Sequence, residues 1–376
     1  MERKHTVDIS IVIPTYNEAE NIEELLTEIK RSLENAGIAS YEVIVVDDSS
    51  LDGTAEIARN AMERLKIPGR IIVRSGNRGL TSAIMRGFTE SRGKYIVVMD
   101  ADLQHPPETI PGLFKKASNE DLDVVIASRY IKGGGIEGAP IHRRFISRAA
   151  ALIARILIPQ ARGIRDPLSG FFLVRRSVIE EVGIEAIEKH GRSFKILLEI
   201  LVKGRYRSVA EHPYVFRPRR RGKSKLGVRE SLEFVKQVME LSEYRLPKFM
   251  TVGLSGVVVN MSVLYILVSM LGVPVIISSP AAIELATINN FILNDRWTFK
   301  RFRLLGRWYE RLLKYHAAVG LGNLVNYAVV LALHGIVGVM ISNIVGIALG
   351  FVTNYLVSSE FVWEVARHRG RGIDKR

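Results

Sequence analysis

The chain has 376 residues and a formal net charge of +14, with Lys and Arg concentrated at residues 143–148, 217–225, 296–311 and in the C-terminal tail. This length predicts two structural units, and the charge predicts an anionic partner such as a nucleic acid, a lipid surface or a phosphorylated substrate. The absence of cysteine excludes disulfides, thiolate metal sites and a cysteine nucleophile.

The basic stretches lack the interleaved aromatic residues of a nucleic-acid stacking platform, so no nucleic-acid partner is expected. The N-terminus is polar and charged and has no apolar signal-peptide core. We therefore expect residues 1 to about 246 to be cytoplasmic.

Short apolar runs alternate with amphipathic stretches over the first hundred residues. The pattern predicts strands at 9–13, 41–46, 71–73 and 95–99, and helices at 22–33, 54–65 and 81–91. This order is typical of an α/β domain with a mostly parallel sheet, in which ligands bind beyond the carboxyl ends of the strands. Candidate residues follow three of the strands: Pro14, Tyr16 and Glu18; Asp47 and Asp48; and Asp100 and Asp102.

Two carboxylates one residue apart, Asp100 and Asp102, follow the fourth predicted strand. Because residues i and i+2 of a strand point to the same side, both side chains are expected to face one hard cation, with the Gln104 amide as a third oxygen ligand. Such a cation would bind the diphosphate of a nucleotide sugar. An acidic strand-to-loop turn without metal is the alternative, since a single D-x-D pair is a weak motif.

Residues 145–158 form an apolar stretch interrupted by Arg148 and Arg155. The pattern fits either a helix in the membrane interface that admits a lipid tail or a plain core helix. Arg143, Arg144 and the glycines at 133–135 favour the interfacial interpretation. Residues 228–244 mix apolar and charged side chains and predict a second interfacial helix.

The C-terminal part changes character, because residues 249–283 contain no charged side chain. The first charged residue after this stretch is Glu284. Four membrane-spanning helices are predicted at about 249–271, 275–294, 315–336 and 339–359, with a buried soluble helical core as the alternative. The connection at 295–314 and the tail at 367–376 are rich in Arg and Lys, which predicts that both chain ends are cytoplasmic.

The four predicted helices form two similar hairpins. Lys248-Phe249, Gly256 and Asn260 recur as Lys314-Tyr315, Gly322 and Asn326, and Asn290-Phe291, Trp297 and Phe299 recur as Asn354-Tyr355, Phe361 and Trp363. This predicts a duplicated helical pair. Glu284 in the second span is expected to be protonated or paired with Asn260, Asn326 or His316, an interpretation we favour over a transport site.

Three motifs in this order resemble family 2 glycosyltransferases: residues 10–18, residues 45–54 and the acidic strand end at 100–102. Within that family, residues 8–245 resemble most the dolichyl-phosphate mannose synthases. The additional motifs are Gly79-Leu80, Ser128-Arg129-Tyr130, Arg143 with Ser147-Arg148, Asp166 with Ser169-Gly170-Phe171, and Arg219 with Gly222 and Ser224-Lys225-Leu226. The four-helix part resembles GtrA-type membrane domains.

The resemblance implies a GT-A-type, Rossmann-like catalytic domain and assigns its site residues. The nucleoside would lie against Pro14, Tyr16, Glu18, Val46 and Asp48, although Asp48 could instead cap a helix. Mg²⁺ or Mn²⁺ and the donor diphosphate would be held by Asp100, Ala101, Asp102 and Gln104. Phosphates would be neutralised by Arg129, Arg219 and Lys225, the last on a loop that closes over the donor.

The implied reaction is transfer of mannose from GDP-mannose to dolichyl or polyprenyl phosphate. A lipid monophosphate is ionised near neutral pH, so it can attack the anomeric carbon with inversion and without a general base. We expect Asp102 and Arg129 to act on the donor and Arg143, Ser147 and Arg148 on the incoming phosphate. Asp166 and Ser169 would position the sugar or the arginines.

Two other functions stay open. A UDP-glucose-dependent polyprenyl-phosphate glucosyltransferase is the closest rival, because the nucleotide-contacting residues do not distinguish guanine from uracil. A lipid-sugar translocator is the second, suggested by Glu284 and the duplicated hairpins. We expect a catalytic domain at 1–226, an interfacial helix and linker at 227–246, and a transmembrane domain with a basic cytoplasmic tail at 247–376.

Overall fold

The computed structural model describes residues 7–75, 79–183, 195–219, 228–302 and 307–365. It divides into two compact units, Met1–Leu241 and Ser242–Arg376. The first unit is an α/β domain and the second consists of helices, which confirms the predicted fold class.

A seven-stranded, mostly parallel sheet forms the centre of the first unit. The strands of this unit are β1 Val7–Thr15, β2 Tyr41–Asp47, β3 Gly69–Val73, β4 Gly93–Val98, β5 Val124–Ser128, β6 Gly135–Ile136, β7 Phe172–Arg175, β8 Val209–Pro213 and β9 Val215–Phe216. The order in the large sheet is β3-β2-β1-β4-β7-β5-β8, and β7 runs antiparallel to both of its neighbours. β6 and β9 form a separate parallel pair.

The helices of this unit include those that pack on both faces of the sheet. They are α1 Ile22–Asn35, α2 Thr54–Leu65, α3 Leu80–Glu90, α4 Ile110–Asn119, α5 Ile141–Leu157, α6 Arg176–Glu180, α7 Ile196–Lys203 and α8 Val228–Leu241. In β1, Ile11 and Ile13 face the core under α1 and α2, while Val12 faces the core under α3. The predicted strands and helices of the first hundred residues are confirmed.

In its described residues, the second unit contains four long apolar helices: α9 Arg245–Tyr265, α10 Val275–Leu293, α11 Trp308–Val337 and α12 Val339–Val357. Each is long and apolar enough to cross a membrane. At their C-terminal ends, α9, α10 and α12 continue as one wider, π-helical turn to residues 270, 298 and 362. Large apolar side chains such as Leu254, Ile276 and Met340 are exposed on these helices. Exposed apolar surface of this extent is typical of lipid-facing helices, so the four predicted spans are confirmed.

The two hairpins bury the same positions. Phe249, Val252 and Gly256 of α9 correspond to Tyr315, Ala318 and Gly322 of α11, and all six are buried. In the same way, Ser278, Ala282, Ala286 and Phe291 of α10 correspond to Ser342, Gly346, Gly350 and Tyr355 of α12. The predicted repeat is therefore present in the packing as well as in the sequence.

Aromatic contacts relate the hairpins by an approximate twofold arrangement. The rings of Phe249 and Tyr355 are 5.5 Å apart, and the corresponding rings of Tyr315 and Phe291 are 5.9 Å apart. Phe299 and Trp363, which also correspond to each other, stack at 4.2 Å with 11° between their planes. In the first two contacts, a ring from the first helix of one hairpin meets a ring from the second helix of the other hairpin. Two parallel repeats related by a common axis produce such contacts.

Glu284 lies on α10 and pairs with His316 of α11 at 3.1 Å, which confirms one of its expected partners. His316 Nδ1 is 2.9 Å from the Leu312 carbonyl oxygen. Because a carbonyl oxygen can only accept, Nδ1 is the donor to Leu312, and Nε2 faces the Glu284 carboxylate. This contact agrees with the structural role that the sequence favours.

Candidate active site

The nucleoside-binding candidates lie at the carboxyl ends of two neighbouring strands. Pro14 of β1 and Val46 of β2 are register partners, and both are buried. Tyr16 and Glu18 follow β1, where the Glu18 backbone N–H donates to Thr54 Oγ1 at 2.9 Å. The fold therefore brings these four predicted residues together at one edge of the sheet.

Asp48 also lies at this edge, but its carboxylate is already engaged. It accepts hydrogen bonds of 2.7 Å from Arg74 Nη1 and from the Gly79 backbone N–H, which precedes α3. The N–H of Thr54, the first residue of α2, donates to Asp52 Oδ1 at 3.1 Å, so Asp48 does not cap α2. Its bond to Gly79 at the start of α3 agrees with the helix-cap alternative, which stays open beside the nucleoside role. Arg74 was not found from the sequence, because a single arginine after a short strand carries no motif.

The acidic pair lies in a turn and not in a strand. β4 ends at Val98, and Leu103 adopts a left-handed backbone conformation with φ of +60°. The predicted strand alternation of Asp100 and Asp102 is therefore wrong, because the chain leaves the sheet before both residues. Their placement depends on the turn, and the buried Leu103 side chain anchors that turn in the core.

His105 holds one end of this turn. The Asp100 backbone N–H donates to His105 Nδ1 at 3.0 Å, and the imidazole stacks on Phe171 with 5.1 Å between ring centroids. Burial lowers the pKa of His105 to about 4, while the Asp102 charge partly opposes that shift. The ring is consequently neutral at physiological pH, with its proton on Nε2. Sequence reasoning missed His105, although its position five residues after Asp100 was an available signal.

Asp102 forms the other end of the turn. Its Oδ1 accepts the Gln104 N–H at 3.1 Å, and its Oδ2 accepts a 2.6 Å hydrogen bond from Arg219 Nη2. The Gln104 side-chain amide donates from Nε2 to the Arg217 carbonyl at 3.1 Å, so its oxygen is the atom left for a ligand. The turn is therefore tied to residues 217–219. Ala101 lies between the two carboxylates and is buried.

These residues fit a divalent cation that takes only part of its ligands from the protein. Among the residues that the structure describes, no cluster of three or more His, Asp or Glu side chains could enclose a metal. Mg²⁺ commonly binds one or two carboxylates and completes its shell with water and substrate phosphates. Gly170 lies directly beside the acidic pair, since a Cβ there would be 3.3 Å from His105 Cε1 and 3.4 Å from Asp100 Oδ2.

Arg129 and Asp166 form a buried bidentate ion pair. Arg129 donates from Nε and Nη2 to the two carboxylate oxygens at 2.7 and 2.8 Å, and its backbone N–H adds a third bond of 3.0 Å. Asp166 is fully buried, and its own N–H donates to Glu211 at 2.9 Å. Ser169, also buried, bonds locally to Phe171. Asp166 thus positions an arginine, one of its two expected roles.

Lys195, just before α7, adds a positive charge that the sequence motifs did not reveal. Burial and the Arg129 charge lower the pKa of its ammonium group, and the charges of Asp100 and Asp166 act in the opposite direction. Burial likewise raises the pKa of the Asp100 carboxyl, while Lys195 and Arg219 counteract that shift. The carboxylates of the turn therefore lie among cationic groups, as a site for a diphosphate with its counter-cation requires.

The acceptor candidates lie on α5. The Ser147 hydroxyl and the Tyr130 hydroxyl are 2.6 Å apart, and the Arg148 guanidinium lies over the Tyr130 ring at 5.9 Å. Arg143 is exposed near the start of the same helix. Tyr130 follows Arg129 directly, so these contacts connect α5 to the ion pair with Asp166. The remaining site prediction, Lys225, lies outside the described residues.

Comparison with protein families finds two matches in the chain. Residues 10–183 match the model of glycosyl transferase family 2, and residues 248–363 match the GtrA/DPMS transmembrane domain. The two matches fall within the two compact units of the structure.

One curated relative covers the chain almost completely, and another covers about two thirds of it. A dolichol-phosphate mannosyltransferase of Pyrococcus furiosus is 44% identical over 94% of this chain and 99% of its own length. A dolichol-phosphate mannosyltransferase of Saccharomyces cerevisiae is 37% identical over 64% of this chain and 89% of its own length. Among solved structures, a mannosyltransferase of Pyrobaculum calidifontis in complex with GDP-Man and Mn²⁺ covers 95% of this chain and 88% of its own, with 16% identity and a TM-score of 0.39.

Proposed function

Because the chain belongs to glycosyl transferase family 2, we propose that it transfers mannose from GDP-mannose to dolichyl phosphate, with inversion at the anomeric carbon. The observation that carries the proposal is the 44% identity to a dolichol-phosphate mannosyltransferase across both the α/β unit and the membrane unit. One unit would supply the donor site, and the other would keep the enzyme at the bilayer that holds the acceptor.

On the donor side, the guanosine would lie over Pro14, Tyr16, Glu18 and Val46, and Asp48 would have to share its carboxylate with Arg74. Asp100, Asp102 and the Gln104 oxygen would hold Mg²⁺ or Mn²⁺, which when bound stabilises the negative charge of the departing diphosphate. Arg219 lies 2.6 Å from Asp102 and can move to the diphosphate once a cation takes that carboxylate. Lys225 is proposed to assist from the same segment.

The transfer itself needs no general base. A phosphate oxygen of dolichyl phosphate attacks C1 of mannose, the bond from C1 to the GDP oxygen breaks, and β-linked dolichyl mannosyl phosphate and GDP result. Asp166 is unsuited to act as a base, because both of its oxygens accept hydrogen bonds from Arg129. It keeps that guanidinium fixed, which favours a pre-organised electrostatic site over proton transfer.

The acceptor would approach along α5. Phe145 and Ile146 are 73% and 62% exposed, although both are large apolar side chains. Arg143 and Arg148 flank them and could pair with the acceptor phosphate while the polyprenyl tail lies on the apolar face. This exposure supports the interfacial interpretation of the helix over the core interpretation.

The membrane unit makes this a multi-pass membrane protein. The distribution of Arg and Lys in the loops favours a cytoplasmic catalytic unit and cytoplasmic chain ends, where a soluble sugar nucleotide is accessible. We include this orientation in the proposal, and cysteine residues introduced at 2 and 375 can test it by labelling in sealed vesicles with an impermeant reagent.

The proposal is tested with full-length protein in detergent. Dolichyl phosphate is incubated with radiolabelled GDP-mannose or UDP-glucose and Mg²⁺, and the lipid product is separated by thin-layer chromatography. We expect label in the lipid from GDP-mannose only, and loss of that label with a chelator or in Asp102→Asn. Lipid labelled from UDP-glucose instead would support the rival glucosyltransferase, and no labelled lipid from either donor would refute both.

A further inference from the structure

Two arginines at corresponding positions of the membrane repeat have different surroundings. Arg245 begins α9, and Arg311 occupies the corresponding position of α11, each followed by Leu and, three residues on, by Lys. Both are buried, at 4% and 6% exposure. A buried guanidinium needs acceptors for its five N–H groups, so both positions should show a partner.

Arg311 has its partner within the repeat. Its Nε donates to Asp295 Oδ1 at 2.9 Å and its Nη2 to Asp295 Oδ2 at 3.2 Å. The Trp363 indole N–H donates to the same carboxylate at 3.0 Å. Asp295 is in the wider turn that ends α10. The charge of Arg311 is therefore neutralised by Asp295.

The other half lacks the carboxylate. The residue that corresponds to Asp295 is Ser359, in the wider turn that ends α12. Within the part of the chain that the structure describes, Arg245 has no salt bridge, and its buried Nε has no hydrogen-bond acceptor. Ser359 is fully buried, and its hydroxyl is without a partner in the same described part.

The remaining contact of the Arg245 side chain leaves its donors available. Its guanidinium lies over the Phe302 ring, 5.5 Å from the centroid. Stacking on a ring uses the face of a guanidinium, whereas all five N–H groups point outward in its plane. By the correspondence of the two halves, the open Nε of Arg245 and the open hydroxyl of Ser359 take the places that Arg311 and Asp295 have in the other half.

We propose that Arg245 and Ser359 bind the phosphate group of an anionic membrane lipid, which takes the place that the Asp295 carboxylate occupies in the other half of the repeat. A phosphate accepts both N–H and O–H donors, and its charge neutralises the guanidinium. The start of the first membrane helix lies where lipid headgroups are found. This site is independent of the proposed transferase reaction.

The repeat itself provides the decisive variant. Ser359→Asp should restore the carboxylate present at residue 295 and pair it with Arg245, so that the lipid phosphate is excluded. Ser359→Asn is the matched control, since it has nearly the same size without the charge. Full-length protein in a neutral detergent is titrated with phosphatidylglycerol, with phosphatidylcholine and with inorganic phosphate, and thermal unfolding and native mass spectra are recorded.

We expect phosphatidylglycerol to raise the melting temperature of the natural protein and of Ser359→Asn, and to stay bound in their mass spectra. In Ser359→Asp the affinity should fall by about 10- to 100-fold, the range for loss of a charged hydrogen bond. Arg245→Gln should lose the response as well. Equal responses of all four proteins would overturn the proposal, and a response to inorganic phosphate alone would overturn the lipid assignment.

Discussion

Asp102 and Arg219, 117 positions apart in the chain, form an ion pair of 2.6 Å at the edge of the sheet. Each is a group that the proposed reaction uses separately, the carboxylate for a cation and the guanidinium for the diphosphate. A cation that binds Oδ2 of Asp102 in the proposed reaction would therefore compete with Arg219. The displaced guanidinium then becomes available to the donor phosphates, which links metal binding to donor binding.

Replacement of Arg219 with Gln tests this link. Without the competing guanidinium, Mn²⁺ should bind to the free protein more tightly, because Asp102 no longer has to leave an ion pair. Donor affinity should fall by about 10- to 100-fold, since a charged hydrogen bond to phosphate is lost. Electron paramagnetic resonance of Mn²⁺ and initial rates against GDP-mannose concentration measure the two effects. Weaker binding of both would contradict the competition.

His105 predicts a pH dependence of stability in the catalytic unit. Its pKa is about 4 in the folded protein against 6.5 in an unfolded chain, so the unfolded state binds more protons between these values. Stability should therefore decrease as pH falls from 6.5 to 4, by roughly 3 kcal/mol at most. Reversible unfolding of the natural protein and of His105→Asn, followed between pH 7.5 and 4.5, checks this.

The Asn variant keeps an acceptor for the Asp100 N–H but does not titrate. It should be less stable at pH 7.5, because the ring contacts with Phe171 are lost, and its stability should depend less steeply on pH. If stability depends on pH equally steeply in the natural protein and in the variant, the pKa of His105 is not lowered in the folded protein.

The sequence predicted the parts of the site that lie directly after strands. The parallel register of β1 and β2 brings Pro14 next to Val46, and that follows from apolar runs and their order. Other parts of the site join segments that are far apart in the chain, and a single sequence contains no information on such distances. Examples are the ion pair of Asp102 with Arg219 and the position of Lys195 near Asp100. The strand argument for Asp100 failed because β4 ends before it, and strand ends are the least determined part of such a pattern.

Membrane association through α5 gives a third prediction. Phe145→Ser should raise the apparent KM for dolichyl phosphate in vesicles by about tenfold, because it removes apolar surface from the interface. The KM for GDP-mannose should stay the same, since no donor candidate lies on this helix. Similar kinetics of the Phe145 variant and the natural protein would refute the role of α5.

A pair of glycines one turn apart on α9 tests the packing of the first membrane hairpin. A Cβ at Gly256 would overlap the side-chain amide of Asn290 on α10, whereas a Cβ at Gly253 meets no atom within 4 Å. Gly256→Ala should therefore destabilise the membrane unit by about 1–3 kcal/mol, the usual cost of overpacking. Gly253→Ala should be neutral or stabilising, because alanine is the better helix former by about 1 kcal/mol. Thermal unfolding of both variants in one detergent measures the difference, and equal melting temperatures would show that the helices can separate at Asn290 without cost.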